Sequence, residues 1–329
     1  MRTPPASCVL LSATRWRQTA NRVQLYRWRG NERNFGDELN CLLWPRLLAN
    51  FFDDDATVLF LGIGSVLDAR HPAGAVKLVA GAGYGGYESR PTLDARWVIH
   101  WVRGPLTARV LSLPATYGLG DPAILLPFPP AHGGETIGFM PHFESLGRGA
   151  WAEAALASGM TLIDPRDEPN AIIASIATCR LLLSEAMHGV IVADAMRVPW
   201  IALRPLISVH RAKWHDWAGT LDLAIRFHAL PASSLSERLQ ASSVAATHAG
   251  RRLLGTAESE LHNVARRWFI ERAALALAAA SRAEPQLSDA RALDRSRCRM
   301  LERLDKLRHD PFLAGGSVLH LAGNSAYHR

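Results

Sequence analysis

The chain has 329 residues, of which 48% are apolar and 20% charged, and this composition excludes a disordered protein. A chain of this length can form two domains of ordinary size. The formal charge of +7 suits an anionic substrate or an anionic membrane surface. Because the basic residues are spread along the chain and do not alternate with aromatic residues, nucleic acid is not expected as a partner.

Short β-branched strands that end at glycine turns dominate the first part of the chain. We predict strands over Thr57–Leu61, Val76–Ala80 and Trp97–Val102. Strands of this kind, each followed by a helical stretch, are typical of parallel α/β units. The proline- and glycine-rich segment from Leu125 to Glu135 predicts an interdomain linker. We therefore predict a first α/β domain over residues 1–130.

The alternation of strands and helices starts again after this linker, and it predicts a second α/β domain over residues 131–250. Strands are predicted over Thr136–Met140, Thr161–Ile163, Arg180–Ser184 and Trp200–Leu203, and helices over Ala150–Ser158, Asn170–Thr178 and Gly189–Met196. Two such domains joined near residue 130 are expected to form a crevice at the carboxyl ends of both sheets, where ligands bind.

The last part of the chain is rich in helix-forming residues. Helical segments are predicted over Leu235–Ala246, Leu253–Ala280 and Arg299–Leu307. We describe residues 251–329 as a helical extension with a basic tail, and we expect poor order after about Pro311. No apolar run approaches the roughly 18 residues of a membrane span, and the N-terminal apolar stretch is too short for a signal peptide, so a cytoplasmic protein is expected.

In the first domain, the candidate ligand-binding residues follow strands or begin helices. Asp37 can cap a helix, while Gly36 would let the backbone approach a ligand, although a plain capped helix explains the same residues. Gly64, Ser65 and Gly83 lie in glycine clusters that match no complete nucleotide-binding motif, yet they offer backbone donors to a phosphate or a sugar.

Two further motifs of the first domain contain charged residues. Arg103 follows a strand and precedes Pro105, where its guanidinium could bind a carboxylate or phosphate in the crevice. A surface arginine is the alternative interpretation. Asp121, between Gly120 and Pro122, is interpreted as a turn former.

In the second domain, the strongest local signal is a strand that runs into Glu185 and His188 before a helix begins. An imidazole there can meet an anion and transfer a proton near neutral pH. His142 ends another strand at the same crevice. Lys213 lies beside two tryptophans, which could form a sugar platform with a phosphate contact or simply a buried aromatic pair.

The order of these motifs along the chain is more specific than any one of them. They read NFGDELN, GIGSVL, GAGYGG, VRGPLT, GDPAILLP, GFMPHF and SEAMHGVIVADAMRVPWIAL. Together they resemble the polysaccharide pyruvyl transferase family over roughly residues 20–220, with its exopolysaccharide branch as the best match. The resemblance implies two Rossmann-like domains similar to those of GT-B glycosyltransferases. It also implies transfer of a pyruvyl group from phosphoenolpyruvate to two hydroxyls of a sugar, as a ketal.

The resemblance also implies roles for the candidate residues. His188 would act as acid/base or as phosphate partner, with Glu185 assisting, and His142 is a second candidate for proton transfer. Asn34, Gly36 and Asp37 would line the first wall of the site. Many family members have an arginine at the position of Ala186, and the candidates to replace it here are Arg103, Arg204, Arg211 and Lys213.

Neither a metal nor a cofactor is expected, because arginines and backbone N–H groups can neutralise a phosphate. The acceptor implied is a lipid-linked oligosaccharide at the inner membrane face. Basic helices after Arg251 could contact that membrane peripherally, although a solvated face or a contact in a homo-oligomer explains them too. Two alternative functions stay open: a GT-B-type glycosyltransferase whose Glu185 grips the ribose of a nucleotide sugar, and a non-catalytic carbohydrate-binding protein of polysaccharide assembly.

Overall fold

The computed structural model describes residues 23–205, 209–241, 260–310 and Leu313. A first parallel sheet has the strand order β1-β2-β3-β4. Its strands are β1 (Gln24–Tyr26), β2 (Val58–Leu61), β3 (Val76–Ala80) and β4 (Trp97–Trp101). Every residue of β2 and β3 is buried, which is why both read as continuous apolar runs and not as alternating ones.

A second parallel sheet has the order β6-β5-β7-β8-β9. Its strands are β5 (Thr136–Met140), β6 (Thr161–Leu162), β7 (Cys179–Ser184), β8 (Trp200–Leu203) and β9 (Phe227–His228). All the strands predicted from the sequence are present, within a residue or so of their predicted ends. The prediction missed β1 and β9, which are only three and two residues long.

Helices cover and connect the two sheets. They are α1 (Phe35–Leu47), α2 (Pro105–Val110), α3 (Phe143–Arg148), α4 (Trp151–Ala157), α5 (Pro169–Ala177), α6 (Met187–Ala195), α7 (Val209–Ala218), α8 (Leu235–Ala241), α9 (Glu260–Ala280) and α10 (Ala290–Arg308). The α/β class predicted from the sequence is confirmed. None of the helices within the described ranges is long and apolar enough to cross a bilayer.

Several details differ from the sequence predictions. Helix α1 begins at Phe35 after Asn34, so Asp37 lies in the first turn and does not cap the helix. The segments predicted to be helical near residues 235–246 and 253–280 are helical as far as they are described, in α8 and α9. The prediction about the tail after Pro311 falls outside the described residues, apart from Leu313.

The C-terminal helix α10 packs back onto the first half of the chain. The Ser296 hydroxyl donates to the carbonyl of Leu119 at 2.6 Å, and the Arg308 guanidinium donates to the carbonyl of Leu47 at 2.9 Å. Its apolar residues Leu293, Met300, Leu304 and Leu307 are buried. Through these contacts, α10 stabilises the half of the chain that contains α1.

Candidate functional site

A cavity of about 280 Å³ is formed by residues that follow strands of both sheets. The loops after β1, β2, β5 and β7 and the start of α1 contribute to its wall. The crevice expected at the carboxyl ends of both sheets is therefore present. Among the predicted site residues, the cavity is lined by Asn34, Gly36, Asp37, Gly64, Ser65, His142, His188 and Lys213.

On the first wall, the buried side chain of Asn40 fixes the position of α1. Its amide oxygen accepts from the backbone N–H of Ile63 at 2.8 Å and from the Trp44 indole at 3.0 Å, and its amide nitrogen donates to the Ile63 carbonyl. These bonds join α1 to the loop after β2. They bring Asp37 beside Gly64, whose φ of +127° is one that residues with side chains rarely adopt.

Asp37 is a buried carboxyl group at the cavity surface, with 7% of its area exposed. Burial raises the pKa of Asp37 to about 6, although the charge of His188, the hydrogen bond from Asn34 and the charge of Lys213 lower it. The Asn34 amide donates to its Oδ2 at 2.6 Å. A carboxyl group with this pKa can exchange a proton near neutral pH.

His188 lies in the first turn of α6 and contacts both a carboxylate and a glycine. Its Nε2 is 3.3 Å from Oδ2 of Asp121, which is fully buried. Burial raises the pKa of Asp121, but the close imidazole of His188 and the backbone N–H of Ala123 hold it below its usual value. We assign the proton of the imidazole to Nε2, facing this carboxylate, which leaves Nδ1 free to accept a proton. Nδ1 lies against Gly36, where a Cβ would be only 2.0 Å away.

The opposite wall contains His142, Glu144 and His210. The imidazoles of His142 and His210 are stacked with their centroids 4.6 Å apart, and both contact the carboxylate of Glu144. Contacts with His210 above all, and with His142 and Arg148, hold the pKa of Glu144 below its usual value despite its burial. Burial lowers the pKa of His142, and the charges of Lys213 and His210 act in the same direction.

Two cationic side chains reach the cavity. Lys213 on α7 has no hydrogen bond or ion pair with another residue of the described ranges, and burial and the charge of Arg103 lower its pKa to about 8. Arg70 also lines the cavity and forms an ion pair with Asp68 at 2.6 Å. The cavity thus combines proton-exchanging groups with an amine that is available to an anion.

Comparison with known proteins agrees with this arrangement of motifs. A family model described as polysaccharide pyruvyl transferase matches residues 88–205. The succinoglycan biosynthesis protein ExoV of Rhizobium meliloti (strain 1021) is 37% identical to this chain over 314 residues, covering 87% of this chain and 99% of that protein. The chain belongs to the polysaccharide pyruvyl transferase family. The resemblance inferred from the order of the sequence motifs is confirmed.

In this pyruvyl transferase, Arg103 lies behind the cavity wall and not on it. Its side chain is fully buried and donates to Asp216 at 3.1 Å, to the Ser65 hydroxyl at 2.7 Å and to the Tyr84 carbonyl at 3.1 Å. The guanidinium lies directly against Gly83, where a Cβ would overlap it, so this position requires a glycine. Since its donors are engaged, Arg103 reaches the cavity through Ser65, whose hydroxyl it orients. This placement corrects the expectation that Arg103 itself grips an anion.

Glu185 and Arg204 are not among the residues that line the cavity in the described part of the chain. Both line a separate pocket beside Trp151. One carboxylate oxygen of Glu185 accepts from the backbone N–H of His142 at 3.0 Å, so Glu185 positions His142. The carboxylate of Asp121 contacts His188, although the sequence pattern predicted only a turn at Asp121. Asp121 also forms the predicted turn, because its Oδ1 accepts from the backbone N–H of Ala123.

Ala186, the position at which the resemblance implied an arginine in many family members, lies on the cavity wall. Of the candidates to replace that charge, Lys213 lines the cavity, whereas Arg103, Arg204 and Arg211 do not. Sequence reasoning missed Arg70, Tyr87, Glu144 and His210, which also line it. Glu144 follows His142 by two residues and could have been suspected, but no local signal marks the other three.

Replacing Gly36 by alanine is expected to lower activity by about 10²-fold without stabilising the protein. In an ordinary helix the change would be favourable by about 0.5–1 kcal/mol. Here the new methyl group would overlap the His188 ring, so the imidazole must move away from Asp121. Gly147→Ala in α3 is the matched control, because a Cβ at Gly147 has no heavy atom within 4 Å. Turnover and thermal unfolding of the two variants measure the difference, and equal behaviour would contradict the account of Gly36.

Asp37→Asn is expected to stabilise the protein, and more so at pH 8 than at pH 4. A carboxyl group whose pKa rises from 3.8 unfolded to about 6 folded is more protonated in the folded state, so it reduces stability as pH increases through that interval. Above pH 6 the full penalty, on the order of 3 kcal/mol, applies. His188, Lys213, Asn34 and Glu38 face the group and are unchanged in the variant.

Urea unfolding of the wild type, Asp37→Asn and Asp54→Asn at several pH values measures this effect. Asp54 is exposed and serves as the control. A stability difference between wild type and Asp37→Asn that does not grow between pH 4 and pH 6 would show that the Asp37 carboxyl is not protonated by burial.

Proposed function

We propose that this chain transfers a pyruvyl group from phosphoenolpyruvate to two hydroxyls of a sugar, forming a pyruvate ketal. The observation that supports it most directly is the shared cavity of the Asp121–His188 pair, the Asp37 carboxyl group and the amine of Lys213. Proton exchange and anion binding are the two requirements of this chemistry. A two-domain fold similar to GT-B, with the boundary near residue 130, belongs to the same proposal.

The reaction needs a proton donor and a proton acceptor. A proton adds to the methylene carbon of phosphoenolpyruvate, which makes C2 cationic, and a sugar hydroxyl forms a bond to C2 and loses its proton. The bond from C2 to the phosphate oxygen then breaks, and inorganic phosphate leaves. A second hydroxyl of the same sugar closes the ring and releases the last proton.

The residues of the cavity divide these tasks between the two walls. Asp121 holds the His188 imidazole through Nε2, and the imidazole, after Nδ1 has taken up a proton, delivers that proton to the methylene carbon, so Asp121 is a positioning residue. Asp37, ionised above pH 6, receives the proton of the attacking hydroxyl. Lys213 binds the carboxylate or phosphate of the donor, and the Ser65 hydroxyl on the cavity wall orients that group.

No observation favours the glycosyltransferase alternative. That reading needs Glu185 on the ribose of a nucleotide sugar, whereas its carboxylate lies in a different pocket and bonds to the backbone of His142. The non-catalytic alternative leaves unexplained why a carboxyl group with a pKa of about 6 is buried beside an imidazole.

The proposal is tested by thermal shift and by phosphate release. We expect phosphoenolpyruvate to raise the Tm and nucleotide sugars to leave it unchanged, since only a ligand of the folded state stabilises it. Phosphate release should then require both phosphoenolpyruvate and a sugar acceptor, and mass spectrometry should detect the ketal. Stabilisation by a nucleotide sugar, with none by phosphoenolpyruvate, would support the glycosyltransferase.

Lys213→Met is expected to raise the KM for phosphoenolpyruvate at least tenfold, because it removes the unpaired amine but keeps the length of the side chain. Lys306→Met, on the exposed side of α10, is the control. A KM for Lys213→Met equal to that of the control would remove Lys213 from the donor site. Steady-state kinetics at saturating acceptor provide both values.

We further propose that the exposed side of α9 contacts an anionic bilayer, where a lipid-linked acceptor would be presented. Trp268 and Leu275 are 51% and 73% exposed, and Arg267 and Arg272 are exposed on the same helix. The Arg272 guanidinium lies 5.0 Å from the Trp268 ring, so apolar and basic groups form one surface. Arg266 is paired with Glu153, while Arg251, after which the basic helices were predicted, lies outside the described residues.

Flotation with vesicles that contain anionic lipid tests this surface. The wild type should float with such vesicles and not with neutral ones, and Trp268→Ala combined with Arg272→Ala should remove the binding. A concentration-dependent dimer that the same double variant dissociates would instead assign α9 to a homo-oligomer interface.

A further inference from the structure

The cluster of His142, Glu144 and His210 has the composition of a metal site, although these residues come from two separate parts of the chain. His142 precedes α3, Glu144 lies in its first turn, and His210 lies in the first turn of α7. One potential ligand atom of each residue lies within 4.8 Å of the others. The cluster faces the cavity, since all three side chains line it.

The two imidazoles present nitrogens that the protein does not satisfy. His142 and His210 are each 7% exposed, and neither Nδ1 of His142 nor Nε2 of His210 has a hydrogen bond of normal geometry within the described ranges. These nitrogens lie 3.7 Å and 3.5 Å from Oε2 of Glu144. Two buried nitrogens aimed at one carboxylate oxygen, but too far away to bond to it well, need another partner.

The two separations from the Glu144 oxygen, 3.7 Å and 3.5 Å, are close to those between ligands of a bound cation. Ligands at about 2.0–2.1 Å from a tetrahedral Zn²⁺ are roughly 3.3–3.4 Å apart. We propose that His142, Glu144 and His210 bind a divalent transition metal ion of the Zn²⁺ type. Three protein ligands leave one coordination position open, as in catalytic zinc sites, and the cavity is where that position would be available.

Outer contacts support the same assignment. The Tyr87 hydroxyl lies 2.6 Å from Nδ1 of His210, which frees Nε2 to face Glu144. Arg148 donates to the Glu144 carboxylate at 3.1 Å. Hydrogen bonds of this kind orient metal ligands and set their tautomers.

The ion would also change the charge of the cavity. Asp37 and Glu144 offset the charges of Lys213 and Arg70, so the wall has little excess positive charge with which to hold a trianion. A divalent cation at the cluster would supply that excess. This role in donor binding rests on the proposed function, whereas the site itself does not.

Direct metal binding tests the site without any substrate. The full-length protein is stripped with a chelator and titrated with Zn²⁺ by calorimetry, and with Co²⁺ to record its visible absorption, which reports coordination geometry. We expect one equivalent of Zn²⁺ and intense Co²⁺ bands, with affinity at least tenfold lower in Glu144→Gln and in His210→Asn. The isosteric glutamine keeps the packing, and circular dichroism confirms that each variant is folded.

His100→Gln is the matched control, because His100 is a buried imidazole 3.4 Å from the carboxylate of Asp310 but is not part of the three-residue cluster. It should bind Zn²⁺ as the wild type does. Absence of stoichiometric binding, or equal affinity in wild type, Glu144→Gln and His210→Asn, would overturn the proposal. Because no phosphoenolpyruvate is present, such a result is separate from any failure of pyruvyl transfer.

Discussion

His188→Ala is expected to lower the rate of ketal formation by about 10²–10⁴-fold while the protein stays folded. The imidazole is the only group of the cavity that is held by a fully buried carboxylate, at 3.3 Å from Asp121, within the described ranges. Its removal leaves the methylene carbon without its proton donor. Phosphate release with phosphoenolpyruvate and a sugar acceptor measures the rate, and thermal unfolding checks the fold.

Two further variants separate catalysis by His188 from packing. His188→Gln keeps most of the side-chain volume and should be as inactive as the alanine variant. Asp121→Asn retains the His188 ring but weakens its orientation, so it should lower kcat and shift the pH dependence of kcat with little effect on KM. His215→Ala, an exposed histidine of α7, should be fully active. Turnover at the wild-type rate in His188→Ala would remove this residue from the mechanism.

Arg103→Met is expected to destabilise the protein by about 3–5 kcal/mol, because it leaves a buried charge without its partner. Arg103 and Asp216 are 0% and 2% exposed at their side chains. Asp216 also accepts from the backbone N–H groups of Leu106 and Thr107, both at 2.9 Å, at the start of α2. The pair therefore joins α7 to the first half of the chain, and urea unfolding measures the cost of breaking it.

A double-mutant cycle with Asp216→Asn shows how much of this cost belongs to the pair. The double variant should be less destabilised than the sum of the two single variants. Arg96→Met is the matched control, since its pair with Asp94 is about half exposed and an ion pair of that kind contributes about 0–1 kcal/mol. Additive single and double variants would contradict a coupled pair.

The sequence was sufficient to predict the sheets and the position of the cavity. Strands such as β2 and β3 are buried on both faces, so their apolar runs are visible locally, and parallel strands place their carboxyl ends on one edge. His188 and Lys213 could be selected because each lies in a distinctive motif. These features depend only on residues that are close in the chain, so they can be recognised in a single sequence.

The partners of these residues could not be predicted, because they are distant in the chain. Asp121 was interpreted as a turn residue, and its contact with Ala123 is indeed of short range. Its contact with His188 forms only when the chain is folded. Likewise, no sequence feature near Arg103 indicates that Asp216 is its partner. The expectation of an anion-binding Arg103 failed because an arginine after a strand has the same pattern whether it meets a ligand or a buried carboxylate.

Helix α7 limits how a long acceptor could reach the cavity. It bears His210, Lys213 and Asp216, and the last of these is locked into the opposite half through Arg103 and the start of α2. Separating the two halves of the chain would break this contact, so we expect donor and product to exchange through the opening of the cavity as it stands. In the proposed function, the acceptor would therefore enter a cavity of about 280 Å³ one sugar residue at a time.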